Sequence, residues 1–205
     1  MPEKIDLVKK YKELYQPSPK APVILCVPPF HFLSLEGNGD PNDSPLYQDT
    51  LQSLYQLAYT LKFAFKKTSG VDFQVMPLEG LWWSENMEDF ITRDKGGWQW
   101  RMLIAQPEMV SEEWVEEARK LALAKKDAGA RLREIQFQVY DEGLSVQILY
   151  LGPYSAEGPA IQRMHTFAQE QGYHLNGLHH EIYLGDPRRT APEKLKTVLR
   201  QPISR

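Results

Sequence analysis

From Leu46 to Lys67 the chain places Leu51, Leu54, Tyr55, Ala58, Leu61 and Phe65 at helical spacing. That spacing predicts one long amphipathic helix, stopped by Gly70. The segments on either side read differently. "VILCVPPFHFLSLEG" before it, and "DFQVMPLEGLWW" and "WQWRMLIAQP" after it, are short apolar and aromatic runs that predict strands. The same order returns in the second half. A strand is expected near 144–151, then a helix over 157–171 with Ile161, Met164, His165 and Ala168 on one stripe, then strands over 173–184 and 197–203.

Strand–helix–strand–strand thus occurs twice, with little identity between the copies. The expected class is α+β. Two βαββ units related by a pseudo-twofold axis share an antiparallel sheet, with helices on one face and a central ligand cleft. Residues 1–20 form a helical extension, and 21–205 form a single domain with halves of about 21–130 and 131–205. A further helix is expected over 111–129, opened by Ser111 and favoured by Glu112 and Glu113 in its first turn. Residues 84–97 read as a polar connection.

Composition narrows the function. The chain of 205 residues carries a net charge of −3, which supplies no basic footprint for direct nucleic-acid binding. One cysteine, Cys26, permits neither an intrachain disulfide nor a zinc site built from several thiolates; in "PVILCVPPF" it reads as a small apolar filler. No run approaches the ~20 apolar residues that cross a bilayer. The charged N-terminus lacks a secretory signal pattern, so a soluble, cytoplasmic protein without membrane contact is expected. An open sheet edge would offer a second copy a pairing surface, making a homodimer the expected form of self-association.

Two glutamates stand in apolar strand sequences, Glu79 in "PLEGLWW" and Glu181 in "HHEIYL". Each falls in the strand after the helix of its βαββ unit. Alternation along a strand groups Glu79 with Leu81 and Trp83, and Glu181 with His179 and Tyr183. If the halves are related by symmetry, both carboxylates can face one cleft, with Trp98 and Trp100 on the neighbouring strand. A carboxylate among aromatic rings suits a planar, apolar or cationic small molecule. Two such carboxyls can also divide acid and base roles.

Other motifs carry less. In His179-His180-Glu181 adjacent side chains point to opposite faces, and no HExxH motif occurs, so no metal is expected. "GNGDP" lacks the strand-to-helix setting of a dinucleotide site, and no cofactor is called for. In "LGPYSAEGP" Ser155 can cap the following helix, Glu157 can favour its N-terminal dipole, and Tyr154 can lean over the cleft. "DPRRTAPEKLK" reads as a solvated basic turn.

The segments "VQILYLGPYSAEGPAI", "GYHLNGLHHEIYLGDP" and "TVLRQPI" resemble the C-terminal unit of GyrI-like small-molecule-binding proteins. "FHFLSLEGNGDPN", "AYTLKF" and "PLEGLWW" resemble the stand-alone branch of that family. The resemblance implies the duplicated βαββ fold with a central cleft, in which the position of Glu181 meets cationic aromatic drugs in the regulators of the superfamily. For the stand-alone branch it implies a hydrolase that opens the cyclopropane of DNA-alkylating cyclopropanoid toxins. Glu79 and Glu181 would then be the catalytic pair, either one serving as acid, with Trp83, Trp100, Tyr154 and Tyr183 holding the ligand. The alternatives are a non-catalytic protein that sequesters drugs, and an inhibitor of a protein partner such as a topoisomerase.

Overall fold

The computed structural model of the chain describes residues 4–84 and 97–205. Of the expected polar connection, residues 85–96 lie outside the described residues. The elements are α1 (Leu7–Lys10), α2 (Lys12–Tyr15), β1 (Val23–Val27), β2 (Phe30–Asn38), α3 (Pro45–Ser69), β3 (Leu78–Trp83), β4 (Gln99–Gln106), α4 (Glu112–Leu123) and β5 (Gln136–Tyr140). They continue with β6 (Gly143–Leu151), α5 (Gly158–Glu170), β7 (His174–Leu175), β8 (His179–Tyr183) and β9 (Lys196–Ser204). The class is α+β, and the strand ladders are antiparallel.

Two compact units interleave along the sequence. One comprises Met1–Leu7, Phe30–Met76 and Trp82–Tyr140; the other comprises Val8–Pro29, Pro77–Leu81 and Asp141–Arg205. The expected halves were contiguous stretches. In the structure Val23–Val27 pairs with β6, so β1 belongs with the second unit, and β5 pairs with β2 in the first.

In the first unit β2 lies between β4 and β5. The long helix α3 begins where Ser44 Oγ accepts from Tyr47 N at 3.3 Å, with Pro45 in its first turn. It ends at Gly70, whose φ of +74° is left-handed. Its apolar stripe of Leu54, Leu57, Ala58 and Leu61 is fully buried. The helix α4 stops at Leu123 rather than at Gly129, because side chains of α3 take up the backbone beyond it. Gln56 Oε1 accepts from Gly129 N at 2.7 Å, and Ser53 Oγ accepts from Arg131 N at 3.1 Å. A Cβ at Gly129 would stand 2.6 Å from Ser53 Oγ, so only glycine permits this approach. Ser111 occupies the N-cap of α4, but its hydroxyl makes no capping bond. The strand expected over 71–83 forms only from Leu78; before it, Phe73 makes an isolated bridge with Ile5.

In the second unit the strands run in the order β1-β6-β9-β8, with β3 next to β8. Helix α5 lays Met164 and Ala168 on Val146 and Ile148 of β6 and on Leu199 and Ile203 of β9. The other face of these strands receives the N-terminal segment. Gln147 Nε2 donates to Glu13 O at 2.7 Å, and Arg200 Nη2 donates to Leu14 O at 2.9 Å. The strand expected over 173–184 is divided into β7 and β8 at Asn176-Gly177, where Gly177 has a φ of +62°.

Candidate functional site

Register decides which residues of β8 share a face. His180 opposes Arg200 on β9, and Arg200 opposes Gln147 on β6. These three form one row, on the side of the N-terminal segment. Glu181 opposes Leu199, and Leu199 opposes Ile148; that row lies on the side of α5. Tyr183, Thr197 and Tyr150 continue it.

On the α5 side Tyr183 donates its hydroxyl to Glu181 Oε2 at 2.7 Å. The Tyr154 ring meets the Tyr183 ring edge to face at 5.4 Å. His179 Nε2 stands 3.5 Å from Glu181 Oε1. Glu157, the N-cap residue of α5, is buried and makes no capping bond with its side chain. Burial pushes the Glu181 carboxyl toward its neutral form, but His179, Tyr183 and Glu157 outweigh burial and hold its pKa below the ordinary value. Burial, helped by His179, lowers the pKa of His165 on α5 to about 4, so its ring is neutral at physiological pH. The side chains of Glu181 and His179 are 12% and 15% exposed, leaving the cluster a narrow opening to solvent.

The opposite side of β8 holds a closed charge network. His180 Nε2 lies 3.0 Å from Glu79 Oε2, at an angle that makes an ion pair rather than a directed hydrogen bond. His180 Nδ1 is 3.0 Å from Glu142 Oε1. Arg200 Nη1 donates to Glu142 Oε2 at 3.0 Å, and Arg200 Nε donates to Gln147 Oε1 at 2.9 Å. Tyr15 OH donates to Glu79 Oε1 at 3.1 Å. Burial works against the imidazolium, yet Glu142 and then Glu79 raise the pKa of His180 to about 9. Burial likewise opposes ionisation of Glu142, and His180 and Arg200 overcome it to bring its pKa to about 2. The phenol of Tyr15 is pushed well above its usual range by burial and by the Glu79 charge.

The two glutamates predicted to share a groove therefore lie on opposite faces of the same strands. Glu79 touches His180, and His180 and Glu181 alternate along β8. With 1% exposure, Glu79 is closed to any ligand. Trp100 is also corrected: it is completely buried, its ring edge-to-face with Tyr47 at 5.2 Å and its Nε1 donating to Gly39 O at 3.3 Å. Its indole fills the space over Gly37, where a Cβ would come within 2.2 Å of it. Trp98 packs on Trp82 with centroids 5.7 Å apart, and Trp83 Nε1 donates to Gln99 Oε1 at 3.0 Å. All three tryptophans belong to the first unit. Strand alternation places His179, Glu181 and Tyr183 on one face, as the register shows; Tyr154 reaches the same cluster through its ring contact with Tyr183. By sequence alone Glu157 favours a helix dipole and His165 belongs to an apolar stripe. The one available signal for Glu157 was a buried-looking glutamate directly before Gly158-Pro159.

Among the described residues no group of three or more His, Cys, Asp or Glu side chains is arranged to hold a metal ion. No helix among them is long and apolar enough to cross a membrane.

Residues 20–204 match the GyrI-like small molecule binding domain, and the chain belongs to that family. It is similar to three solved proteins from Listeria innocua, each fully covered by 98% of this chain. One is an uncharacterized conserved protein (39% identity, TM-score 0.91), and two are hydrolases (39% identity with TM-score 0.88, and 37% with 0.86). The C-terminal domain of EcmrR shares the fold at 12% identity and a TM-score of 0.55, covering 90% of this chain and 97% of that one. No curated protein matches the chain.

Proposed function

We propose that this protein hydrolyses a small planar electrophile at the Glu181 cluster, with Glu157 in place of Glu79 as the second carboxyl. The observation that carries the reading is the Glu181 carboxylate in a largely water-poor setting, bonded by the Tyr183 hydroxyl and facing His179, with the buried Glu157 at the start of α5 among the groups that hold its pKa down. The two similar Listeria hydrolases support it. The substrate class suggested by the family resemblance is the cyclopropanoid alkylators, in which a cyclopropane is conjugated with a dienone. Glu181, ionised, would take a proton from water as the water oxygen bonds to the ring methylene. The cyclopropane C–C bond would break, its electron pair passing into the dienone to give a phenolate. Glu157, acting as the acid, would give its proton to that phenolate, and the proton that Glu181 gained from water would replace it. Ring strain drives the opening, so general acid–base assistance of about 10²- to 10⁴-fold suffices.

The test is incubation with a cyclopropanoid compound and mass detection of the product, one water heavier than the substrate. Turnover by the parent protein, lost in Glu181→Gln and Glu157→Gln but kept in Glu79→Gln corrected for folded fraction, is the expected result. Parent-rate turnover in Glu181→Gln removes the assignment. Binding without turnover in the parent would favour a sequestering protein instead.

A further inference from the structure

Four buried side-chain polar atoms crowd the α5 side of the second unit without a hydrogen-bond partner among the described residues: His165 Nε2, both ring nitrogens of His179, and Thr197 Oγ1. Folded proteins pair the great majority of such atoms, because one left unpaired keeps the cost of its lost hydration. Their position is not scattered. Thr197 is the register partner of Tyr183, His179 neighbours Glu181 along the same face, and the His165 ring feels the charge of His179. The other face of the same strand is different in kind, since Glu142, Arg200 and Gln147 bind one another and the N-terminal backbone. That face is compensated charge for charge, His180 Nε2 by its ion pair with Glu79; the α5 face is left short of partners that a guest molecule can supply.

We infer that His165 and His179 form a specificity subsite that binds a carbonyl oxygen of the small molecule. This rests on reading the Glu181 cluster as the ligand site. An imidazole offers at least one N–H whether neutral or protonated, and two imidazoles can each direct an N–H at a single carbonyl oxygen. Such a site discriminates against a ligand of the same shape without that oxygen, because the ring nitrogens would stay buried and unpaired. His165 and His179 are thus specificity-determining rather than catalytic residues: they fix which end of a planar ligand lies beneath α5, and leave the carboxyl pair to the reacting end.

Fluorenone and fluorene, planar molecules that differ by one carbonyl oxygen, provide a probe pair that needs no chemistry. Titration calorimetry is expected to show the parent protein binding fluorenone at least about tenfold more tightly than fluorene. His165→Phe should erase that preference without lowering the melting temperature, since it replaces an unpaired neutral ring by an apolar one. His165→Gln, which keeps a donor, should retain part of it. The ¹⁵N resonance of His165 Nε2 should shift with fluorenone and not with fluorene. Equal binding of the two probes, binding of neither, a preference that survives in His165→Phe, or an unmoved ¹⁵N resonance (the atoms then being satisfied by water alone) overturns the subsite. A protein that discriminates the probes but turns over no cyclopropanoid keeps the subsite and loses the hydrolase reading.

Discussion

The two faces of strand β8 do opposite things with the same kinds of residue. On one, a histidine sits between two carboxylates, with an arginine completing the charge balance, and every element around it contributes a partner. On the other, His179 and Glu181 meet at 3.5 Å with no arginine or lysine in the described contacts, and neither ring nitrogen of His179 has a directed partner, whereas His180 has one through Nδ1. Charges buried with full complements hold a structure together. Groups buried with incomplete complements are available to react or to bind. The difference makes the surroundings of His180 a sealed, charge-balanced face and leaves the surroundings of Glu181 as the face of the proposed site, although the two residues are adjacent in the chain.

The largest expected effect breaks the chemical face. Glu181→Gln should lower turnover of a cyclopropanoid about 10²- to 10⁴-fold while the melting temperature stays near that of the parent protein, as steady-state rates and thermal unfolding would show. The mirror-image change breaks the structural face. Glu142→Gln removes the anion shared by His180 and Arg200, and should cost about 3–5 kcal/mol of stability in urea unfolding, with turnover per folded molecule little changed. A turnover loss as great as that of Glu181→Gln would erase the distinction between the faces.

The pH profile of stability sharpens the comparison. The folded pKa of His180 is raised to about 9 from an ordinary 6.5, so its contribution is fully present below about pH 6.5 and is lost as pH rises through 9. Glu142 is lowered to about 2 from 4.5, so its contribution is present above about pH 4.5 and is lost as pH falls toward 2. Unfolding free energy should therefore be greatest between about pH 4.5 and 6.5 and decline on the alkaline side. Urea titrations across pH 5–10 would show that alkaline limb, and its persistence in Glu142→Gln would contradict the assignment to His180. The smallest effect is expected from Tyr15→Phe, which removes one hydrogen bond to a charged acceptor and should cost about 1.5–3 kcal/mol.

Much of the fold was legible because it depends on local chemistry. The stripe of α3, its Gly70 stop, and the strand–helix–strand–strand order repeated along the chain follow from spacing and turn residues. The end of α4 was not legible, because Gln56 and Ser53, distant in sequence, take up the backbone after it. The candidate site divided in the same way. Glu181 stands out as a carboxylate in an apolar strand, and its link with Tyr183 follows from alternation. The expected link between Glu79 and Glu181 equated corresponding slots in two units. A slot does not specify a face, and a shift of one residue in register turns every side chain over.

By itself the sequence determined the elements, their order, and the unusual carboxylates within apolar strands, since these rest on propensity, periodicity and capping, which act over a few residues. Only the tertiary structure decided that Glu79 points to a sealed ion network and Glu181 to Glu157 and His179. Those choices depend on strand register and on side chains brought together from segments far apart in the chain, and on burial, which makes the balance of charge at each face matter.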